Sequence, residues 1–177
     1  MEGRGKWDYL KGGAEDPAAK KLFSPSADRN AAPILGVLST RIKAHVDARG
    51  TRAIVLELAS GTGQHAAYMA RGLQGDGLLD CWHPSDVPPF DTTSVRSWAR
   101  ELGSSDFIGP GSNIDLSSAE WWIDAPKPSH IFVANMTHIA PWACSAGLLQ
   151  GASHLLPRGE SFQRPPPPPP PDEYPSH

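Results

Sequence analysis

The amino-acid sequence predicts an α/β protein with a Rossmann-like, doubly wound and mostly parallel sheet. Helical and strand-like patterns alternate between residues 22 and 158 in the order α-β-α-β-α-β-α-β-α. The apolar run 53–58 is rich in β-branched residues, which is typical of a strand covered on both faces of a parallel sheet. Repeated βα units favour right-handed crossovers, and ligands of such sheets bind beyond the carboxyl ends of the strands where strand order reverses.

The elements of the first half follow from apolar spacing and from helix breakers. A helix is predicted over about 30–48, with Ser26 or Asp28 as its cap, because apolar residues recur on one face. Gly50 ends this helix, as glycine often does just beyond a last helical turn. The strand 53–58, the small-residue loop 59–63 and a helix over about 64–73 come next.

The second half continues the alternation with weaker signals. A strand is predicted at 78–82, and a helix at 93–102 with Thr92 or Thr93 as its cap. A weak third strand is predicted from 107–108 and 114–116 together. A short helix containing Trp121 and Trp122, a fourth strand at 131–134 and a last helix at about 141–155 complete the pattern.

Composition excludes several classes of protein. The 177-residue chain carries 16 Lys and Arg against 19 Asp and Glu, so it lacks the basic balance expected of a phosphate-backbone binder. Two cysteines are too few for a disulfide framework, and the seven histidines lack metal-ligand spacing, so no metal site is expected. Neither a secretory signal nor a membrane span is recognisable. We therefore expect an intracellular protein, cytoplasmic with the nucleus left open, that does not bind membranes or nucleic acid.

Domain organisation follows from where the apolar pattern starts and stops. Residues 1–21 are predicted to be a flexible lead-in, 22–158 the globular domain, and 159–177 a disordered proline-rich tail. The run Pro165–Pro171 fits an SH3 or WW partner through Pro-x-x-Pro, although a low-complexity spacer or read-through sequence is the favoured interpretation.

Candidate chemistry lies in the loop after the first strand. Gly61 and Gly63 permit close approach of a ligand, and the helix that follows offers free N–H groups, although a tight turn alone would also use glycines. Asp86 lies 23 residues beyond Gly63, where dinucleotide folds place an acid that accepts ribose hydroxyls. Glu57 at the end of the strand disfavours the pyrophosphate of NAD and favours a ligand with an ammonium group, such as S-adenosyl-L-methionine (SAM).

The string V-L-E-L-A-S-G-T-G-Q-H at 55–65 resembles motif I of class I SAM-dependent methyltransferases, with Ala59 in place of the first glycine. Further short matches lie in order at 23–30, 33–35, 84–86 and 135–139, and before Pro157. Together, over about 22–158, they resemble the methyltransferase-like protein 26 group and its bacterial relatives. The resemblance implies methyl transfer from SAM to an unknown acceptor.

The resemblance also implies a role for each residue of the loops. Gly61 and Gly63 would face the methionine part of SAM, and Glu57 would organise the loop and the ammonium group. Asp86 would hold the ribose, and Asp115 would meet the adenine amino group. From the residues alone, Asp86 could instead be a turn residue and Asp115 a helix cap.

Residues of the first helix and of the last loop complete the expected site. Arg29 and Asn30 would reach the SAM carboxylate, although Arg29 could equally form a surface ion pair. Asn135 would face the methionine part or the acceptor. His138 is a candidate general base near the acceptor, but a half-buried structural histidine is the favoured interpretation. Asn135 and His138 are therefore only weak candidates for catalysis, and the catalytic residues stay unknown.

The strand count departs from the family that the chain resembles. A class I methyltransferase has seven strands, whereas about four are predicted here before the proline-rich tail begins. We expect a truncated product in which the fourth strand is an exposed edge, a liability for aggregation. An inactive isoform or fragment that acts at most as a binding or interaction protein is therefore the alternative to an enzyme.

Overall fold

The computed structural model describes residues 21–156, so the predictions for the lead-in before Lys21 and for the tail with Pro165–Pro171 lie outside the described residues. The helices are α1 (Pro25–Arg49), α2 (Gln64–Gly75), α3 (Thr93–Leu102) and α4 (Trp142–Leu155), with a 3-10 turn at Ser105–Phe107. The strands are β1 (Ala53–Leu58), β2 (Leu79–Asp86), β3 (Ser112–Asn113) and β4 (His130–Val133).

The four strands form one parallel sheet in the order β3-β2-β1-β4. The chain moves from β1 outward to β3 and then crosses back to place β4 on the other side of β1. The strand order therefore reverses between β1 and β4, and this is the point where open α/β sheets bind their ligands. The predicted α/β class is confirmed, as an incomplete Rossmann-like sheet flanked by helices.

Alternating side chains of β1 contribute to two separate apolar clusters. Val55 points into a cluster built with α1, α2 and α3, in which Trp82 of β2 is fully buried. Leu56 and Leu58 point to the opposite face, where Trp121 and side chains of α4 cover them. Because β1 is covered on both faces, its apolar run matches its position at the centre of the sheet.

Three local predictions were wrong. Ser24, not Ser26 or Asp28, caps α1, because Pro25 occupies the first helical turn, where its missing N–H costs nothing. The third strand forms at Ser112–Asn113, beside the end of β2, while Ile108 makes only an isolated bridge to Trp82.

The third wrong prediction concerns the segment before β4. Trp121 and Trp122 lie in a series of turns rather than in a helix, and their rings pack edge to face. The indole Nε1–H of Trp121 donates to Gly147 O of α4 at 2.9 Å, so tertiary packing rather than a local helix holds this segment. Both tryptophans belong to the apolar cluster that contains Leu56 and Leu58 of β1.

Within 21–156, β4 pairs only with β1, and all four of its residues are half-buried. It is thus an edge strand in the described part of the chain. Trp142 and Leu149 of the neighbouring helix α4 are 81% and 70% exposed. No helix of the described part is long and apolar enough to cross a membrane.

Candidate functional site

The loop between β1 and α2 lies at the carboxyl edge of the sheet. Ala59, Gly61 and Gly63 all have positive φ, at 56°, 53° and 77°. Glycine adopts this conformation freely, whereas for alanine it costs about 1–2 kcal/mol. The loop therefore holds strain at Ala59, the position at which the methyltransferase motif has its first glycine.

The two glycines have different reasons to be glycine. A Cβ on Gly63 would lie 2.6 Å from Val95 Cα, so Gly63 allows α3 to pack against the start of α2. A Cβ on Gly61 would meet nothing within 4 Å, and Gly61 is exposed. Gly63 is a packing residue, and Gly61 presents open backbone on the outer side of the loop.

Two serines tie the ends of β1 and β2 together in what we call the serine clasp, Ser60 and Ser85. Ser60 N donates to Ser85 O at 2.9 Å, and Ser85 N donates to Ser60 Oγ at 3.1 Å. Ser85 Oγ also donates to Glu57 O at 2.6 Å. Because Ser85 is fully buried and Ser60 is 8% exposed, the clasp fixes the loop to the sheet through water-excluded hydrogen bonds.

Glu57 lies beneath this loop rather than on its surface. Its side chain is only 2% exposed, and Oε2 accepts hydrogen bonds from Trp82 Nε1 at 3.0 Å and from Ser60 Oγ at 2.8 Å. Burial raises its pKa from 4.5 to about 7, since the two hydrogen bonds offset only part of the desolvation, and nearby Asp86 raises it further. This position fits the predicted role of organising the loop and keeps the carboxyl group away from solvent.

Asp86 connects the end of β2 to the exposed glycine. Its Oδ2 accepts a hydrogen bond from Gly61 N at 2.7 Å, and its Oδ1 accepts one from Val87 N at 2.8 Å. A carboxylate oxygen has more than one lone-pair site, so Asp86 keeps capacity for further donors. The structure thus brings the predicted ribose residue and the predicted glycine together.

Asp115 lies one residue beyond the hydrogen bond from Ile114 N to Asp86 O, at 2.8 Å, so the two acids follow adjacent strand ends. Its Oδ1 accepts from Ser117 N at 2.8 Å and from Ser117 Oγ at 2.6 Å, and these bonds lower its pKa. Asp115 therefore stabilises a turn, and the prediction that it caps a helix was wrong, because the residues that follow form turns rather than a helix.

The first helix reaches the loop through the start of α2. His65 Nε2 lies 2.7 Å from Asn30 Oδ1, and burial lowers the pKa of His65, so a neutral ring donates this bond. Gln64 Oε1 accepts from Ser24 N and from Thr62 Oγ1. Asn30 is thereby held at the site, while Arg29 beside it is exposed on α1.

The loop after β4 completes the carboxyl edge. Asn135, which follows β4, has a positive φ of 59°. Ala59, which follows β1 on the other side of the strand reversal, also has a positive φ. Asparagine adopts this conformation at little cost, and Glu120, outside this edge of the sheet, also has a positive φ of 56°, so of the two positions only Ala59 is strained by its side chain. His138 is exposed, so the favoured prediction of a half-buried structural histidine was wrong.

Sequence reasoning missed four residues of the site, namely Ser60, Ser85, Trp82 and His65. Ser60 lies inside the glycine loop and Ser85 lies directly before Asp86. Their positions beside predicted site residues could have identified them, but the prediction used only glycines and acids. Trp82 and His65 become site residues only through packing of β2 and α1, which no local pattern predicts.

Within residues 21–156, no group of three or more His, Cys, Asp or Glu residues could hold a metal ion. The fold and the loop define an α/β protein with a doubly wound parallel sheet and a glycine-containing loop at its strand reversal. Residues 21–163 match DUF938, a family described as a protein of unknown function. The match spans most of the chain, and the protein belongs to this family.

Proposed function

We propose that the protein binds SAM at the carboxyl edge of the sheet and transfers its methyl group to an acceptor not yet known. The observation that carries the proposal is the hydrogen bond from Gly61 N to Asp86, which joins an open glycine loop to an acid at the next strand end. This pairing suits a nucleoside ligand without phosphate, because the carboxylate can accept from ribose hydroxyls while the loop backbone contacts the ligand.

The rest of the edge accommodates the other parts of SAM. The adenine lies toward Asp115, and the methionine part lies over Gly61 toward Asn135. The carboxylate of SAM is taken by Asn30 and Arg29 near the amino end of α2, where helix N–H groups favour an anion. His65 holds Asn30 through its side-chain oxygen, which leaves the amide N–H groups for the ligand.

The chemistry is an in-line displacement at carbon. A lone pair of the acceptor N, O or S forms a bond to the methyl carbon while the carbon–sulfur bond breaks, and its electrons return to sulfur as a neutral thioether. The enzyme aligns the two reactants and excludes water, so no covalent nucleophile is required. A general base is needed only where the acceptor must lose a proton.

NAD is the competing nucleotide ligand. The sequence argument against NAD depends on a negative charge at Glu57. A buried carboxyl group with a pKa of about 7 is only partly ionised at neutral pH. Its repulsion of a pyrophosphate is correspondingly weaker. NAD therefore belongs in the binding experiment beside SAM.

A non-catalytic binding protein is the second candidate function. It is favoured by the edge position of β4 in the described part of the chain and by the exposed Trp142 and Leu149, because this side of the sheet would have to enclose the acceptor. Such a protein binds SAM through the β1 and β2 side without supporting transfer.

A thermal-shift titration of the full chain with SAM, S-adenosylhomocysteine and NAD tests the proposal. A ligand at about 100 times its dissociation constant stabilises the folded state by about 2.7 kcal/mol, which corresponds to a rise of several degrees in Tm. Asp86→Ala should abolish the rise with SAM, and Asp106→Ala, an exposed acid in the 3-10 turn, is the matched control. No rise with SAM at millimolar concentration contradicts the proposal.

Transfer is measured separately, with methyl-labelled SAM and a cell extract as the source of acceptors. Label incorporation that Asp86→Ala removes supports an enzyme. Saturable SAM binding without incorporation into any protein, nucleic-acid or small-molecule fraction supports the second candidate.

A further inference from the structure

We propose that Glu57 releases a proton when a positively charged ligand binds over the loop between β1 and α2. Through this release the site binds SAM, which carries a sulfonium charge, more tightly than S-adenosylhomocysteine, which is neutral at sulfur. The inference rests on the proposed function and adds to it a residue that selects the charge of the ligand. No covalent bond of the ligand changes, and the proton passes from the carboxyl group to the solvent.

Two acids lie at this loop without a cation that balances them. Glu57 Oε2 lies 2.8 Å from Ser60 Oγ beneath the loop, and Asp86 Oδ2 lies 2.7 Å from Gly61 N at its edge. Within residues 21–156 neither acid forms a salt bridge, whereas three other acids do. The negative charge of Asp86 also opposes ionisation of Glu57. A cation at the loop therefore offsets this repulsion and favours the ionised form of Glu57.

The carboxyl group of Glu57 is arranged to exist in both protonation states. Its side chain is 2% exposed, and burial raises its pKa to about 7, so about half of the molecules carry the proton at pH 7. The donors Trp82 Nε1 and Ser60 Oγ both bind Oε2, which leaves Oε1 to carry the proton. The same two donors stabilise the carboxylate after the proton has left.

The other titratable groups packed near Glu57 are neutral at pH 7 or exposed. His65 of α2 lies over Phe132, the neighbour of Glu57 in the sheet, and burial lowers the pKa of His65 and of His83 in β2. Every Asp, Glu, Lys and Arg side chain of α1, α2 and α3 is exposed. The two remaining histidines of the packed elements contact each other away from the loop: His45 and His130. Glu57 is therefore the group whose ionisation a ligand charge changes near pH 7.

The position of Ser60 sets the distance between the ligand and Glu57. A ligand atom in contact with the outer side of Ser60 lies about 8 Å from the carboxyl group, because one hydrogen bond and one van der Waals contact separate them. At an effective dielectric constant of about 20, a unit positive charge at that distance weakens proton binding about thirtyfold. Since about half of the carboxyl groups are protonated at pH 7, binding of SAM should release about half a proton.

This release makes the preference for SAM depend on pH. The carboxylate and ammonium charges of the methionine part cancel in both ligands, so only SAM brings a net positive charge to the loop. At pH 6 part of its binding free energy is used to remove the proton from Glu57, whereas at pH 8 the proton is already absent. The affinity for SAM relative to S-adenosylhomocysteine should therefore rise about five- to tenfold between pH 6 and 8.

Calorimetric titration of the full chain with SAM at pH 7, in two buffers that differ in ionisation enthalpy, counts the protons released. Glu57→Gln should release about half a proton less than the wild type, because it lacks the titrating group. The ammonium group of the ligand and His65 are present in both experiments and cancel in the difference. The control Asp106→Asn removes an exposed carboxyl group from the 3-10 turn and should release as many protons as the wild type.

The outcomes separate this inference from the proposed function. Equal proton release by the wild type and Glu57→Gln, with SAM bound by both, would overturn the inference and leave SAM binding intact. Absence of SAM binding by the wild type in the thermal-shift titration would overturn both. If circular dichroism shows that Glu57→Gln does not fold, the wild type alone decides, and a ratio of SAM to S-adenosylhomocysteine affinity that is constant from pH 6 to 8 would overturn the inference.

Discussion

Replacement of the buried acid Glu57 by glutamine should remove a pH-dependent destabilisation of the folded protein. Glutamine keeps the size of the side chain, and its Oε1 can accept the same hydrogen bonds from Trp82 and Ser60. Only the ionisation is lost. Glu57→Gln therefore isolates the free energy of charging a carboxyl group at this position.

The sign and size follow from linkage. Below about pH 4.5 the carboxyl group is protonated in the folded and the unfolded chain alike. The contribution of the protonated group to the free energy of unfolding is then fully present. Between pH 4.5 and about 7 the folded chain keeps a proton that the unfolded chain has lost, so stability falls as pH rises, and the fall ends above the folded pKa. From pH 5 to 8 the expected loss is about 2.5 kcal/mol.

Urea unfolding of both proteins between pH 5 and 8 measures this effect. His65, which is buried, and His83, which is half-buried, have lowered pKa values, so they make stability rise with pH below about 6.5, opposite to Glu57. They are present in both proteins, so the difference between the two curves reports Glu57 alone. With a urea slope of about 2 kcal/mol per molar, the midpoint difference should change by about 1 M or more across this range. A difference curve that is flat to within about 0.5 kcal/mol would refute the reasoning, because the carboxyl group would then titrate alike in both states.

Three further predictions about the loop are tested by urea unfolding at a single pH. Gly63→Ala should lower the free energy of unfolding by about 3 kcal/mol, because the new Cβ clashes with the backbone of α3 and alanine is strained at a positive φ. Gly61→Ala should lower it by only about 1–2 kcal/mol, because at Gly61 there is the strain but no clash. Equal costs at the two glycines would contradict the difference in packing. Ala59→Gly should stabilise the protein by about 0.5–1 kcal/mol, since relief of strain exceeds the added freedom of the unfolded chain, and a loss of stability would argue against the positive φ. Ser85→Ala should lower the free energy of unfolding by about 1–3 kcal/mol, because a buried hydrogen bond is lost. The control Ser118→Ala, at an exposed position, should lower it by less than about 0.5 kcal/mol. Similar losses of stability in the two variants would count against the serine clasp.

Much of the fold could be predicted because its signals are local. The apolar run 53–58 and the helix at 93–102 have the bounds that the sequence pattern predicts. The third strand could not be placed, because two residues become a strand only by pairing with Ser85 and Asp86. Long-range pairing of this kind leaves little trace in the composition of the shorter partner.

The candidate site likewise contains residues that the sequence could place and residues that it could not. Topology alone brings Gly61, Asp86 and Asp115 to one edge of the sheet, because they lie at or just beyond the carboxyl ends of neighbouring parallel strands. The burial of Glu57 could not be predicted, since it depends on Trp82 of another strand, which covers it. The exposure of His138 likewise depends on what packs over the loop after β4.

The serine clasp and the loop that it holds have a consequence for how the molecule is assembled. The glycine loop, Glu57 and Asp86 all belong to one uninterrupted β1–α2–β2 stretch, 53–86, whereas β4 joins the sheet across contacts such as Ile54 N to Ser129 Oγ, which are 75 positions apart. Contacts close in sequence cost less loop-closure entropy than distant ones. The loop between β1 and α2 is therefore held by contacts close in sequence, and the half of the sheet beyond β1 can vary while this loop keeps its geometry.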